Sequence, residues 1–376
     1  MLSWWKKAAV PVLFLIVIFV VAALNLKNLY HIVAGEIGWN PSQIENTYND
    51  NFYSKMSYIN LQGGLANLMD QKILNGVIKG DNGKLNFLWA VDYKFNEKEE
   101  AKKVKKAIAI LQHAEKKGCK VLYVQRPWAV SAMPYGKQFE YSRQYDYWCK
   151  QIKKAGIPTI DLRSEMEGEL DFFTTDHHWT TESAYCATAR IIQELNQLYD
   201  FRLADRKGDF FNEKNYIRKT YNNVFLGAEG VRTGTYFAGK DDFEIVYPKF
   251  DTKFLFQQYS EGTMYWEKEG DYQSVLIDQD LLNDETYLNK YNAHAYGAYN
   301  ENRVKNEKAG NNLKTLLIAD SFARPQLGFY SLCFKETRYL DPQEGRYTDS
   351  YVKYIDEYQP DIVILMFPGD GNFVKV

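Results

Sequence analysis

Hydrophobic and polar positions follow different rules in different stretches of the chain. Residues 8–24 carry no charge and are apolar on every side, directly after Trp4, Trp5, Lys6 and Lys7. Residues 31–95 read as a polar lead-in, mostly helical or irregular, with a turn signal at Gly80-Asp81-Asn82-Gly83. Over 97–117, Ala101, Val104, Ala107, Ile108 and Leu111 recur at helical spacing with lysines between them, and Gly118 stops that helix. A buried-strand run at 120–127, helical sequence over 145–155 and a second strand at 158–162 follow. The alternation resumes late: strand 314–319, helix 321–334, strand 337–340, helix 348–358 and the strongly apolar strand 361–367. Alternating helices and short apolar strands predict an α/β domain of about five parallel strands with helices on both faces. Between the halves, 204–302 is rich in Gly and Tyr, with strand-like runs at 243–250 and 253–257, and reads as a β-rich insertion over the sheet. No internal repeat or low-complexity tract is present.

At about 1.5 Å per residue the 8–24 run reaches roughly 25 Å, enough to span a bilayer at the short end of the range. Two lysines precede it and Lys27 follows, which favours the N-terminus inside and the rest of the chain outside the cytoplasm. The rival is a cleaved signal peptide, since Val21, Ala22 and Ala23 are small, although Leu24 and Asn25 make a poor cleavage site. The expected organisation is an anchor at 1–30, the lead-in at 31–95 and one domain at 96–376 with its insertion. A formal net charge of -2 provides no basic field to gather nucleic acid. The 29 Tyr, 22 Phe and 8 Trp suit the apolar faces of sugar rings, or equally a well-filled core. Cys119, Cys149, Cys186 and Cys333 have no metal or redox spacing and read as buried thiols, with one disulfide left open.

Two segments carry chemistry, each where an open α/β sheet places its site. In Phe172-Phe173-Thr174-Thr175-Asp176-His177-His178-Trp179-Thr180-Thr181, a loop runs into a helix over 180–198. An Asp two residues before His178 can bond back to the imidazole, fix its tautomer and prepare a general base, with His177 pointing elsewhere. In Leu316-Leu317-Ile318-Ala319-Asp320-Ser321-Phe322-Ala323-Arg324, the turn from strand to helix exposes Ser321 beside backbone N–H groups that can hold an oxyanion. Each segment taken alone is also an ordinary helix N-cap. A metal is not expected, because His31, His113 and His294 are scattered and no HExxH or HxH pattern occurs. Arg324 is a candidate for orienting a polar or anionic substrate.

The Asp176-His177-His178-Trp179 stretch, followed much later by Ile318-Ala319-Asp320-Ser321-Phe322, resembles the DHHW protein family, which is similar to SGNH-hydrolase-like alginate O-acetyltransferases of exopolysaccharide machines. The resemblance covers roughly 95 to the C-terminus and includes 225–250. It implies Asp176 as acid, His178 as base and Ser321 as nucleophile on a flavodoxin-like SGNH fold, with Ala319 where Gly usually stands. Gly227 and Asn306 are the oxyanion-hole candidates, and Trp179 joins Arg324 near the substrate. The implied function is O-acetyl transfer to a cell-surface or secreted polysaccharide without a cofactor. A membrane-bound O-acyltransferase partner would supply the acetyl groups. An acetyl esterase with the same triad, and a non-catalytic assembly or carbohydrate-binding component, are the alternatives.

Overall fold

The computed structural model describes residues 2–34, 44–45, 48–49, 51–129, 133–137, 139–203, 211–284 and 289–367. Helix Leu2–Ala34 contains the uncharged run, and its side chains from Val12 to Val20 are exposed. Asn25 in the same helix is buried; it donates to Val21 O and accepts the Tyr53 N–H, both at 2.8 Å, tying the helix to the lead-in. Among the described residues no helix is long and apolar enough to cross a membrane. The single-span anchor therefore remains an expectation of the sequence.

The lead-in departs from its helical or irregular reading. After helix Lys55–Leu68, strands β1 (Ile73–Leu74), β2 (Val77–Lys79) and β3 (Leu85–Phe87) form an antiparallel sheet, with Gly80 to Gly83 as the turn between the last two. Strands this short cannot display a period of two, so the pattern is silent there. Leu85 N donates to Thr174 O at 2.8 Å, which joins this small sheet to the loop bearing Asp176.

The remaining strands are β4 (Lys120–Gln125), β5 (Thr159–Asp161), β6 (Tyr216–Phe225), β7 (Asp241–Pro248), β8 (Phe254–Ser260), β9 (Thr263–Gly270), β10 (Glu301–Asn306), β11 (Lys314–Ala319), β12 (Glu336–Leu340) and β13 (Ile362–Met366). Eight of them form one sheet in the order β5-β4-β13-β11-β12-β10-β8-β9. The first five are the parallel strands read from the apolar runs. The other three continue the sheet antiparallel. The expected all-parallel sheet with an insertion over it is thus corrected to a mixed sheet that part of the insertion extends. Only the β6–β7 ribbon is separate, and it packs into the core beside helix Thr181–Tyr199. The insertion's reading began at Ala204, which with 205–210 lies outside the described residues.

Alternation within the parallel strands fills both faces. Leu316, Ile318, Val363 and Leu365 pack with helices Glu97–Lys116, Tyr141–Lys154 and Tyr351–Tyr358. Leu317, Ala319, Ile362, Ile364 and Met366 pack with helices Thr181–Tyr199 and Arg324–Cys333. Burial on two faces is what makes such strands near-continuous apolar runs. All four cysteines are free thiols, three buried and Cys186 half-buried.

Candidate active site

β11 ends at Ala319, and the chain passes through a 3₁₀ turn, Ser321–Ala323, into helix Arg324–Cys333. Asp320 caps the turn, its Oδ1 accepting the Phe322 N–H at 3.1 Å. Its Oδ2 receives Arg126 Nε at 2.9 Å and Nη2 at 2.5 Å from just beyond β4, and both partners are buried. Capping is thus the work of Asp320, which leaves the Ser321 hydroxyl for another partner. Ala319 is in the strand and not at positive φ, so it replaces Gly without strain.

Segment 172–179 closes on itself, with Phe172 bridging Trp179 and Phe173 N donating to His178 O at 3.1 Å. Remote residues hold it in place. Asp241 accepts the N–H groups of Thr174 (2.9 Å) and Thr175 (2.8 Å). Gly227 N donates to Thr175 Oγ1 and Ala228 N to Asp176 Oδ2, each at 2.8 Å. The buried Trp179 donates its indole N–H to Phe322 O at 2.9 Å, linking this loop to the Ser321 turn. Thr180 then caps helix Thr181–Tyr199.

These two segments bring Asp176, His178 and Ser321 into one hydrogen-bonded chain. His178 Nδ1 lies 2.5 Å from Asp176 Oδ1, and His178 Nε2 lies 2.7 Å from Ser321 Oγ. With Nδ1–H donated to the carboxylate, Nε2 is the acceptor for the serine hydroxyl. Tyr291 stacks on the imidazole with centroids 4.0 Å apart, and its hydroxyl donates to Ser321 O at 3.2 Å. Burial, reinforced by the positive charge of His177, depresses His178 to about 3 against the pull of Asp176. Burial alone would raise Asp176, but His178, His177 and the Ala228 N–H outweigh it and hold the carboxyl well below the usual range. For His177, burial opposes the charge, yet Glu229 at 3.1 Å and Asp176 lift it to about 9. The site therefore places a neutral imidazole against a hydroxyl, with a charged imidazole next to it.

Asp176, His177 and His178 also offer metal-ligand atoms within 4.8 Å of one another. Those of His178 are engaged by Asp176 and Ser321, and His177 Nδ1 by Glu229, so the geometry suits proton transfer better than ligation.

The other candidates fall elsewhere. Gly227 supports the acid, since its N–H is taken by Thr175 and a Cβ there would meet Asp176 Cβ at 2.1 Å. Asn306 is corrected outright. Lys305 and Lys314 both pair with Glu336, so Asn306 lies at the start of β11, at the end of the sheet opposite Ser321. There its amide donates to Ser331 O and Leu332 O at 2.9 and 3.3 Å, closing a helix end. Trp179 is a buried tie and not an exposed contact. Arg324 is buried too, bonding Asn292 Oδ1 at 2.8 Å. His177 turns its Nδ1 to Glu229, as expected of a residue that does not serve Ser321, while its ring packs 4.1 Å from that of His178. Sequence reasoning missed Arg126, Glu229, Tyr291 and Gln343, none of which sits in a motif. Only Glu229, inside the 225–250 stretch, had any signal.

Beside the site is a cleft of about 560 Å³ lined by Lys84, Trp128, Tyr141, Tyr145, Arg163 and Phe172 among others. Trp128 separates it from the histidines, stacking on His177 at 5.3 Å and 10°.

Residues 77–227 match the family described as the SGNH hydrolase-like domain of acetyltransferase AlgX, a match that includes Asp176 and His178 and ends before Ser321. No curated protein matches the chain by sequence. Bacillus cereus PatB1, solved with a sulfonyl adduct, is 17% identical over 80% of this chain and 98% of its own, with a TM-score of 0.64. A DHHW family protein from Eubacterium siraeum is 14% identical over 78% of this chain and 91% of its own, with a TM-score of 0.55. At these identities the two structures share the fold. The SGNH-hydrolase-like reading is thus met by a domain match over 77–227, and the fold is shared with PatB1 and with the DHHW family protein.

Proposed function

We propose that the protein transfers O-acetyl groups to a cell-surface or secreted polysaccharide through an acyl-serine. The observation that carries this reading is the Asp176–His178–Ser321 chain at the C-terminal edge of the parallel strands. As Ser321 Oγ attacks an acetyl carbonyl, its proton passes to His178 Nε2 and then to the departing alcohol. A sugar hydroxyl next attacks the acetyl-serine, giving its proton to the same nitrogen, which returns it to Ser321 Oγ as the new ester leaves. Asp176 holds the tautomer and stabilises the transient imidazolium.

The aromatic cleft next to the site supports a sugar acceptor, since Trp and Tyr faces stack on pyranose rings. The match to an acetyltransferase domain supports the acyl group. The acetyl supply is assigned to a membrane-bound O-acyltransferase, and the uncharged 8–24 run to an anchor that keeps the catalytic part outside the cytoplasm. Protease added to intact cells should then remove most of the chain, and full protection of an accessible protein refutes that placement.

Polymer-bound acetate in cells carrying Ser321→Ala decides the activity. It should fall; a rise identifies an esterase, and no change rejects acetyl chemistry altogether. An activated serine hydroxyl captures sulfonyl groups, and PatB1 has been solved with a sulfonyl adduct. A sulfonyl fluoride should therefore label this chain on Ser321, with labelling lost in Ser321→Ala.

A further inference from the structure

The tetrahedral intermediate formed at Ser321 needs donors for its oxyanion, and both sequence candidates are committed elsewhere: Gly227 to Thr175, Asn306 to the far end of the sheet. One donor is inherent in the turn. Attack by Oγ places the oxyanion within reach of the Ser321 N–H, on the positive end of helix Arg324–Cys333. That N–H is not idle: it donates to Gln343 Oε1 at 3.2 Å. The Gln343 side chain thus stands beside the donor that an oxyanion would use.

Building on the acyl-serine reading, we propose that Gln343 completes the oxyanion hole, its side-chain N–H acting beside the Ser321 N–H. The turn that carries it is well held. β12 lies next to β11, so the chain leaves both strands at the same edge. Asp341 accepts the Gln343 N–H at 2.9 Å and pairs with Arg346 Nη1 at 2.9 Å, and Tyr347 N donates to Asp341 O at 2.8 Å. The amide itself is held loosely, by Ser321 N at 3.2 Å and Arg346 Nη1 at 3.5 Å. The last torsion of Gln is broad and roughly two-fold, so a half-turn exchanges oxygen for nitrogen at the same place. Before substrate arrives, the carbonyl end satisfies the Ser321 N–H. When negative charge develops, the amino end faces it and the Ser321 N–H is released to do the same. No covalent bond of Gln343 changes.

The test compares Gln343→Ala with Gln343→Glu, measuring turnover of a small acetyl ester, the rate of sulfonyl fluoride labelling and the melting temperature. Removing one oxyanion donor typically lowers kcat by roughly 10²–10³-fold, and Gln343→Ala should do so with KM little changed. Gln343→Glu should be at least as impaired, because it keeps the shape but can only accept and adds negative charge. A purely structural acceptor predicts the opposite, since a carboxylate holds the Ser321 N–H more tightly. Near-wild-type turnover and labelling in a folded Gln343→Glu overturns the proposal. Should Gln343→Ala not fold, the isosteric Glu variant still decides. If Ser321→Ala stays active, the acyl-serine reading itself has failed; if it is dead while Gln343→Glu is active, only the oxyanion assignment has.

Discussion

The turn that bears Ser321 and the loop that bears His178 reach the same edge of the sheet by different means. Ser321 is placed by regular structure: a central parallel strand, a 3₁₀ turn and a helix in immediate succession, locked by the buried Asp320–Arg126 pair. Asp176 and His178 lie between a short bridge and a helix cap, positioned by Asp241, Gly227, Ala228 and Phe322 O from distant parts of the chain. A strand-to-helix turn carries its own geometry, whereas a loop is as well placed as the bonds others give it. Damage to the loop should therefore register first in activity, and damage to the turn's ion pair first in stability.

The sharpest break is Asp176→Asn. The amide keeps the shape but favours the wrong imidazole tautomer, and comparable changes in Ser-His-Asp sites lower kcat by about 10⁴-fold. Ester turnover should fall on that scale with the melting temperature little moved; retained turnover removes Asp176 from the acid's role. Next comes Arg126→Met, which leaves the Asp320 carboxylate buried without its partner. Breaking such a pair costs about 3–5 kcal/mol of stability, measurable by urea unfolding. Asp320→Asn added to Arg126→Met should recover part of the loss. An unchanged unfolding midpoint in Arg126→Met means that the pair does not hold the turn.

The smallest effect separates the two histidines by pH. In the proposed mechanism His178 is the neutral base, and its folded value of about 3 lies below the ordinary 6.5 of an imidazole. Its neutral form thus persists as pH falls through 6.5. At pH 5 an unperturbed imidazole would lose on the order of thirty-fold of its neutral form. Wild-type kcat/KM should show no such loss from this group. His177→Gln removes the neighbouring charge that helps depress His178, and should move the acid limb upward. An acid limb near 6.5 in the wild type, unmoved by His177→Gln, contradicts the assigned electrostatics. Stability follows the same linkage: because the unfolded chain binds the His178 proton more readily, this group's contribution weakens as pH drops from 6.5 towards 3.

Several features were legible without a fold. The central strands β4, β11 and β13 are apolar on both faces, so their runs stand out against amphipathic helices such as Glu97–Lys116. The Asp176–His178 and Asp320–Ser321 segments drew notice because acid, imidazole and hydroxyl cluster beside predicted helix starts. β1 to β3 were not legible, being too short to show a period, nor was the place of β8, β9 and β10 in the main sheet. Alternation in a strand such as β8 says which side is buried and nothing about which strand lies next to it.

The sequence by itself thus determined the local elements, their inward faces and the residue types available for acyl chemistry, because periodicity and turn preference act within a few residues. Tertiary structure alone decided that Asn306 lies at the far end of the sheet, that Arg324 and Trp179 are buried, and that Tyr291, Glu229 and Gln343 meet the two chemical segments. Burial is non-directional: it drives apolar faces together without naming their partners. Partners are fixed only when the order of strands and the packing of helices settle for the whole chain at once.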